Sequence, residues 1–403
     1  KPMCQHDGED GDLPVGARFC SGWHPVCRMA IPRIVFHCCN KGVEAQAART
    51  GAVGVADRLP LSFREIRYCR FIAALDFNRT LMILTMKNSN LKDRMLGCLF
   101  GQAIGDALGL GSEFMDKNEV IKHYPDGLRY YSQIIKDVHR SRWAKGSWTD
   151  DTDMMLCILD GFENGKFNVR RVASNFKDWF NGDPLGIGKH TNNVLCMGDY
   201  VEQPEMCSKL WWNISRQKSA ANGALMRTSV VGLATSDIEE QAIAICKLTH
   251  YDPRCVGSCV IATAIINNLV WNEDLLSYDD IKSIARKYDD RIIEWIDAAY
   301  NSQNISMLDL DEPYSMGYTL RTLSAALWCY WHSPSFEEGL FSVVNEGGDA
   351  DTNAAVACAI LGAKFGYDVI PKYYIENLYN EPMYRNVVQN FINQVLNAER
   401  EIG

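Results

Sequence analysis

Two short acidic segments, which lie almost 200 residues apart, constrain the fold of this chain more than any other feature. They are Thr149-Asp150-Asp151-Thr152 and Gly348-Asp349-Ala350-Asp351-Thr352, each followed by apolar helix-forming residues. Such oxygen ligands suit hard divalent cations, above all Mg²⁺, with Mn²⁺ and Ca²⁺ as alternatives. If the fold brings the segments together, two carboxylates about 4 Å apart repel by roughly 4 kcal/mol at an effective dielectric of about 20. Two divalent cations are the natural neutralising partners, so the sequence predicts a dinuclear metal site.

Helix N-capping is the structural alternative for these segments, because Asp and Thr are preferred N-cap residues. For a single segment this alternative would be favoured. Capping uses one side-chain oxygen, however, whereas each segment supplies three or four. The pair Gly347-Gly348 also permits unusual backbone geometry before the second segment. Anions are favoured at helix N-termini, which helps to keep carboxylate ligands ionised.

The composition is that of a globular protein, with 403 residues, 47% hydrophobic and 23% charged. The net charge of −9 argues against a generic nucleic-acid or anionic-membrane binder, because such binding needs clustered Lys and Arg. The best candidate for a membrane span, 71–86, is interrupted by Asp76 and Arg79. We therefore expect no membrane-spanning segment.

The 15 cysteines are scattered and include no CxxC pair. Several lie within apolar helical patterns, where a small buried hydrophobic residue is expected rather than a disulfide: Cys98, Cys157, Cys246 and Cys358. The pattern predicts free thiols and a reducing, cytoplasmic compartment.

Residues 1–88 differ from the rest of the chain. They open acidic and Gly-rich, become Arg- and Cys-rich, begin with Lys1, and carry Met82 and Met86 as alternative starts. We expect a poorly ordered or non-native extension. A transit-like segment is less favoured, since such segments are poor in acidic residues. A zinc module is a further alternative, although its candidate ligands have no standard spacing: Cys20, His24, Cys27, His37, Cys38 and Cys39.

Residues 89–403 have helical periodicity and predict one all-α domain. The first helix, 91–110, carries Gly97, Gly101, Gly105 and Gly109. Each interior Gly costs about 1 kcal/mol relative to Ala, so we expect the stripe to permit close helix–helix approach. Further helices are predicted at 154–162, 168–180, 238–250, 255–271, 278–300, 318–331, 335–345, 354–365 and 383–400, with Gly366 as a C-terminal cap.

Four sequence blocks follow one another in a specific order. They are Gly105-Asp106-Ala107-Leu108-Gly109 with Glu113, Trp148-Thr149-Asp150-Asp151-Thr152, Ser219-Ala220-Ala221-Asn222-Gly223-Ala224-Leu225-Met226-Arg227, and Gly347-Gly348-Asp349-Ala350-Asp351-Thr352. In this order they resemble the ADP-ribosylglycohydrolase family, which includes dinitrogenase reductase-activating glycohydrolases and vertebrate ADP-ribosyl-acceptor hydrolases. Thr249-His250 and 186–191 are weaker matches. The resemblance covers about 92–372 and none of the first 88 residues.

The resemblance implies an orthogonal all-α bundle with two Mg²⁺ ions, or Mn²⁺, at the base of an ADP-ribose cleft. The implied metal ligands are Thr149, Asp150, Asp151, Asp349, Asp351 and Thr352. The implied catalytic residues are Glu113, Asp150 and Asp151, with Glu113 gating the metal site or assisting proton transfer. The implied contacts with ADP-ribose are Ser219, Asn222, Gly223 and His250. Asp106 is expected to support the helix packing or to hold the ligand residues in place, rather than to bind metal.

The implied activity is hydrolysis of the C1″ bond between ADP-ribose and a protein side chain or another acceptor, by a monomer. Two alternatives remain: a two-metal phosphoesterase acting on a nucleotide, and a catalytically silent ADP-ribose-binding protein. The sequence does not define the acceptor. Three tryptophans either line the rim of the cleft or serve as buried anchors: Trp143, Trp211 and Trp212.

Overall fold

Helices form nearly all the regular structure of the computed structural model, which describes residues 90–402. Helix α1 spans 90–109. The helices that follow are α2 Lys117–His123, α3 Asp150–Asp160, α4 Val169–Asn181, α5 Lys189–Leu195, α6 Pro204–Ile214, α7 Ile238–Lys247, α8 Pro253–Asn267, α9 Tyr278–Ala285, α10 Arg291–Asn301, α11 Thr319–His332, α12 Phe336–Val344, α13 Ala350–Phe365, α14 Lys372–Glu376 and α15 Glu381–Ile402. Strands β1 Phe162–Glu163 and β2 Lys166–Phe167 pair as an antiparallel hairpin. The all-α prediction is therefore confirmed.

The glycine stripe of α1 packs against the backbone of α13. A Cβ atom added at Gly97, Gly101, Gly105 or Gly109 would come within 3.0 Å of a backbone atom of α13, closer than real Cβ contacts allow. The carbonyl groups that it would meet belong to Gly362, Cys358, Ala354 and Ala350, in that order along the helix. The two helices are therefore antiparallel and in direct backbone contact, as the spacing predicted.

Helix α13 lies at the centre of the core. Its residues from Ala350 to Ala363 are all buried, and it packs against α8, α11 and α12. A helix that is apolar on every face belongs in the interior of a large domain. Residues Pro253–Asn272 are long and apolar enough to cross a membrane, with a mean hydropathy of 1.4, but 72% of that window is buried inside the protein. They form a core helix here.

Sequence periodicity located the long helices better than the short ones. The helix predicted at 278–300 is two helices, α9 and α10, because Asp289 bonds the backbone N–H of Arg291 and turns the chain between them. The helix predicted at 154–162 instead begins at Asp150 and ends at Asp160, so that Phe162 starts the hairpin. Helices α2, α5, α6 and α14 were not predicted.

Each cysteine in the described range is free, as predicted for that part of the chain. Gly366 ends α13 with φ of 90°, in agreement with its predicted role as a cap. The expectations for 1–88, including the extension and the zinc module, lie outside the described residues.

We predict that Gly101→Ala destabilises the protein by roughly 1–3 kcal/mol, because overpacking against a backbone cannot be relieved by a rotamer change. In an open helix the same change would stabilise by about 1 kcal/mol, so the sign of the effect is informative. The measurement is the free energy of unfolding in urea. Gly198→Ala is the matched control, since nothing lies within 4 Å of a Cβ there. A Gly101→Ala variant as stable as the wild type would contradict the packing argument.

Candidate functional site

The two acidic segments meet at neighbouring helix N-termini. Thr149 immediately precedes α3 and Asp349 immediately precedes α13. One carboxylate oxygen from each of Asp106, Asp151 and Asp351 lies within 4.8 Å of the others, and Glu113, Asp349 and Asp351 form a second such group. The structure thus brings together side chains that are almost 200 residues apart in sequence.

Side-chain capping does not explain these residues. Neither Thr149 nor Asp349 makes a side-chain cap hydrogen bond to its helix, so the capping alternative does not hold for these two residues. The reason is that both side chains are bonded elsewhere. Thr149 Oγ1 donates to the Asp106 carboxylate at 2.9 Å, and Asp349 Oδ2 accepts from Asn222 Nδ2 at 2.6 Å.

Asp106 connects α1 to the start of α3. Its Oδ1 accepts hydrogen bonds from the backbone N–H and the hydroxyl of Thr149, both at 2.9 Å. Its Oδ2 accepts from the N–H of Thr152 at 3.0 Å and from the Thr152 hydroxyl at 2.6 Å. With both oxygens used in this way, Asp106 orients the first acidic segment, in agreement with the supporting role expected for it.

Asp151 is buried in the middle of the cluster with an incomplete set of partners. Its Oδ2 lies 3.2 Å from Thr149 Oγ1, whose one hydroxyl proton is donated to Asp106. Its Oδ1 has no partner among the described residues although it is buried. A buried carboxylate oxygen without a donor is costly, and a bound cation would satisfy it.

Burial and mutual repulsion raise the pKa of every carboxyl group in the cluster for which a shift is resolved. Burial raises the pKa of Asp106 and of Asp150 to about 7 and that of Asp349 to about 6. The pKa values of Asp151 and Asp351 lie well above the usual range, because burial is reinforced by the neighbouring carboxylates. The cluster therefore resists full ionisation without a cation, and its all-oxygen donor set fits Mg²⁺ or Mn²⁺.

The Asn222-Gly223 turn faces the cluster. Asn222 Nδ2 donates to both Asp349 Oδ2 at 2.6 Å and Thr322 Oγ1 at 2.9 Å, while its backbone N–H donates to Gly317 O at 2.9 Å. The amide of Asn222 therefore holds Asp349 in place. This contact joins the third sequence block to the fourth.

Glu113 lies just beyond α1, at the edge of the cluster. It is 8% exposed, and its Oε2 lies 2.6 Å from His139 Nε2. The next residue, Phe114, has φ of 61°, and its N–H bonds Gly348 O at 2.6 Å. Arg140 supports this turn by donating to the carbonyl groups of Leu110 and Gly111. His139 is a site residue that sequence reasoning missed, because it lies outside all of the matched blocks.

The six predicted metal ligands and Glu113 line one cleft of about 860 Å³. This volume is typical of small-molecule and cofactor sites. Its walls include Ser219, Asn222, Gly223 and His250, the four predicted contacts. Trp143 and Trp211 also line it, whereas Trp212 donates to Asp252 at 3.0 Å and is an anchor away from this wall.

His190 is a second residue that the sequence reasoning did not single out. Its ring stacks on that of His250 with centroids 4.0 Å apart and an interplanar angle of 15°. It lies within the weakly matching stretch 186–191, which was the available signal. Both rings belong to the wall of the cleft.

Several known proteins are similar to this chain in sequence or in fold. A family model described as ADP-ribosylglycohydrolase matches residues 87–402. The chain is 26% identical over 315 residues to the ADP-ribosylarginine hydrolase Tri1 of Serratia proteamaculans, covering 74% of this chain and 78% of the relative. It is also 26% identical over 302 residues to the ADP-ribosyl-dinitrogen reductase glycohydrolase of Rhodospirillum rubrum, covering 73% and 92%.

A solved structure described as an ADP-ribosylglycohydrolase-related protein complex superposes with a TM-score of 0.60, at 23% identity. The match covers 76% of this chain and 99% of that one, and it shows a shared fold. The resemblance stated from the four sequence blocks is thereby confirmed, as is the bundle type that it implied. The chain belongs to the ADP-ribosylglycohydrolase family.

Proposed function

We propose that this protein is a divalent-metal-dependent hydrolase that cleaves the C1″ glycosidic bond between ADP-ribose and an acceptor. The observation that carries the proposal is the meeting of both acidic segments with Glu113 on the wall of one cleft. Family membership supports it, since two relatives are named for the hydrolysis of ADP-ribosylarginine and of ADP-ribosyl-dinitrogen reductase. The acceptor is a modified protein side chain or a small molecule.

The oxygen atoms of the cluster suit two Mg²⁺ ions, with Mn²⁺ as the alternative. The residues that would hold them are Thr149, Asp150, Asp151, Asp349, Asp351 and Thr352. The unpartnered Oδ1 of Asp151 and the raised carboxyl pKa values support a cation in this position. When bound, such ions offset the carboxylate charge, act as Lewis acids and lower the pKa of water.

The chain's own side chains provide the remaining steps of the proposed reaction. Glycosidic cleavage passes through an oxocarbenium-like state, with water on one face and a proton delivered to the leaving group. Glu113 borders the cleft and contacts His139, so its carboxyl group is placed to hold and transfer that proton. Asp150 and Asp151 orient the attacking water, while Asn222 keeps Asp349 in position. The cleft wall holds the ADP-ribose.

The first test of this function is the pair of single variants Asp150→Asn and Asp349→Asn. Each should lower kcat/KM for release of ADP-ribose by at least about 100-fold, because a charged ligand is lost at nearly constant volume. Asp160→Asn is the matched control in the same helix, since Asp160 is exposed and pairs with Arg171 on the surface. The assay covers arginine-, serine- and asparagine-linked ADP-ribose, with and without Mg²⁺. Full activity of both variants would contradict the proposal.

The product separates this activity from its alternatives. Cleavage at C1″ releases free ADP-ribose, whereas a phosphoesterase acting on the pyrophosphate would release AMP. Calorimetry that detects ADP-ribose binding without turnover of any acceptor would identify a silent binding protein instead.

Glu113→Gln tests the proton-transfer role separately from metal binding. We expect kcat to fall by about 100-fold or more, since general acid–base catalysis contributes roughly 10²–10⁴-fold. Stabilisation by Mg²⁺ in thermal unfolding should be largely retained. Glu119→Gln, at an exposed position of α2, is the control. Loss of Mg²⁺ stabilisation in Glu113→Gln would instead make Glu113 a metal ligand.

The metal-free protein should become less stable as pH rises from about 4 to about 7. The folded pKa values of Asp106 and Asp150, about 7, exceed their ordinary value of 3.8, so the folded state binds more protons than the unfolded state. Stability is thus largest below pH 3.8 for these groups and is lost as pH rises towards 7. Saturating Mg²⁺ should stabilise most at pH 7.

Chemical unfolding at several pH values, with chelator or Mg²⁺, measures this linkage. The Asp349→Asn variant serves as the internal comparison, because it should gain much less from Mg²⁺ than the wild type does. Equal stability of the chelated protein at pH 5 and pH 7 would contradict the expected dependence.

A further inference from the structure

Thr249 bonds both of the stacked histidines on the cleft wall. Its hydroxyl Oγ1 lies 2.7 Å from His250 Nδ1, and its backbone carbonyl oxygen lies 2.9 Å from His190 Nε2. Thr249 is fully buried and does not line the cleft itself. Both rings are buried as well, with His250 completely so. The reaction described above gives none of these contacts a purpose.

Both rings are neutral near pH 7. Burial lowers the pKa of His190 to about 4 and that of His250 well below its usual range. The proximity of Arg227 acts in the same direction on both histidines. A neutral imidazole carries one proton, on either Nδ1 or Nε2, and its hydrogen-bond partners decide which.

The hydrogen-bond partners of His190 are compatible with only one tautomer of its ring. A backbone carbonyl only accepts, so the His190 Nε2 that faces Thr249 O must carry the proton. His190 Nδ1 is then an acceptor, and Ser219 Oγ, which lies 2.6 Å away, must donate to it. Ser219 therefore uses its one hydroxyl proton on His190 and turns only lone pairs towards the cleft.

The hydrogen-bond partners of His250 are also compatible with only one tautomer of its ring. Arg227 only donates, and its Nη2 donates to Thr249 Oγ1 at 2.6 Å. Within residues 90–402 the Thr249 hydroxyl proton has no other acceptor than His250 Nδ1. His250 Nδ1 is therefore unprotonated and Nε2 carries the proton. That Nε2–H has no partner among the described residues.

The space in front of His250 Nε2 is bordered by Gly223. A Cβ atom at this position would lie 3.3 Å from Nε2 and 2.9 Å from Thr191 Oγ1. A side chain at Gly223 would therefore close this part of the cleft wall against the nitrogen. This explains why a glycine follows Asn222 although no positive φ is needed there.

Arg227 supports the same arrangement at an energetic cost. It is completely buried, and the hydrogen-bond partners of its side chain in the described range are Thr249 Oγ1 and Met154 Sδ. Its guanidinium lies 4.3 Å from the centroid of Phe176, and its Nε has no partner within that range. A buried charge without a counter-ion is expensive, so a role for it is expected. Here a donor-only group fixes the direction of the Thr249 hydroxyl.

We propose that Thr249 is a positioning residue that fixes the tautomers of both histidines, so that the cleft wall presents a donor, His250 Nε2–H, and an acceptor, Ser219 Oγ. This pair suits ligand groups that both accept and donate, such as ribose hydroxyls. A phosphate oxygen only accepts and cannot satisfy Ser219. The identity of the ligand rests on the proposed function, whereas the proton pattern is a property of the free protein.

The test is ¹⁵N-edited NMR of the histidine rings in the ligand-free protein at pH 7, which distinguishes protonated from unprotonated ring nitrogens. We expect Nε2–H in both His190 and His250. Assignment uses the single variants His190→Asn and His250→Asn. A proton on Nδ1 of either ring in the wild type would overturn the proposal.

Thr249→Val separates the two halves of the arrangement, because it removes the hydroxyl and keeps the carbonyl. The spectrum of His250 should change to a mixture of tautomers, whereas His190 should keep Nε2–H. Thr249→Ser should restore the wild-type spectrum. Thr263→Val is the matched control, since the Thr263 hydroxyl is buried and bonds only carbonyl groups of its own helix. An unchanged His250 spectrum in Thr249→Val would refute the role of the hydroxyl. If that variant fails to fold, the wild-type and Thr249→Ser spectra decide.

Calorimetry with ADP-ribose measures the consequence for binding. Thr249→Val should weaken binding by roughly five- to tenfold, the value of about one hydrogen bond, with Thr249→Ser close to the wild type. If the spectra are as expected but wild-type protein does not bind ADP-ribose, the proposed function fails while the tautomer assignment stands. If ADP-ribose binds equally to the wild type and to Thr249→Val, the tautomer of His250 does not contribute to ligand binding in the way proposed.

Discussion

The contact between α1 and α13 is the constraint on which the rest of the site depends. Glycines at every fourth residue of α1 allow two backbones to touch, with no side chain between them over about three and a half turns. Helix α1 carries Asp106 and leads into Glu113, while α13 begins next to Asp349 and Asp351. A contact made of backbone atoms has one register, because sliding by a residue would replace glycine with a side chain. The relative positions of these carboxylates follow from that register.

Electrostatics then selects what can occupy the space that the helices create. Several buried carboxylates lie within 4.8 Å of one another, and their burial and mutual repulsion raise their pKa values. One oxygen of Asp151 is left without a hydrogen-bond donor among the described residues. Hydrogen bonds from Thr149 and Asn222 keep the carboxylates of Asp106 and Asp349 from turning away. The cluster is therefore held in a conformation that costs free energy unless a positive ion is present. This is the preorganisation that a binding site for hard cations requires.

Much of this could be predicted from the sequence, for reasons that are specific to each element. The glycine stripe and the acidic segments are local patterns with few structural solutions, and both lie where they were expected. The contacts of Glu113 with His139 and of His250 with His190 join residues that are distant in sequence and carry no pattern of their own. The N-cap alternative fails for Thr149 because its hydroxyl bonds Asp106, a competing partner that lies 43 residues away. Helices such as α2 and α14 are one or two turns long, too short for periodicity to mark them.

The long separation between the two acidic segments has a consequence for how the protein folds. A cation site assembled from both segments cannot form until α3 and α13 have packed together. The chain must therefore close a loop of about 200 residues, at an entropic cost, before the complete site can bind an ion. An ion bound there would be a ligand of the folded state alone and would stabilise it by mass action. The stability of this protein would thus depend on the concentration of free metal in its surroundings. Its rate of proteolysis through the unfolded state would depend on that concentration in the same way.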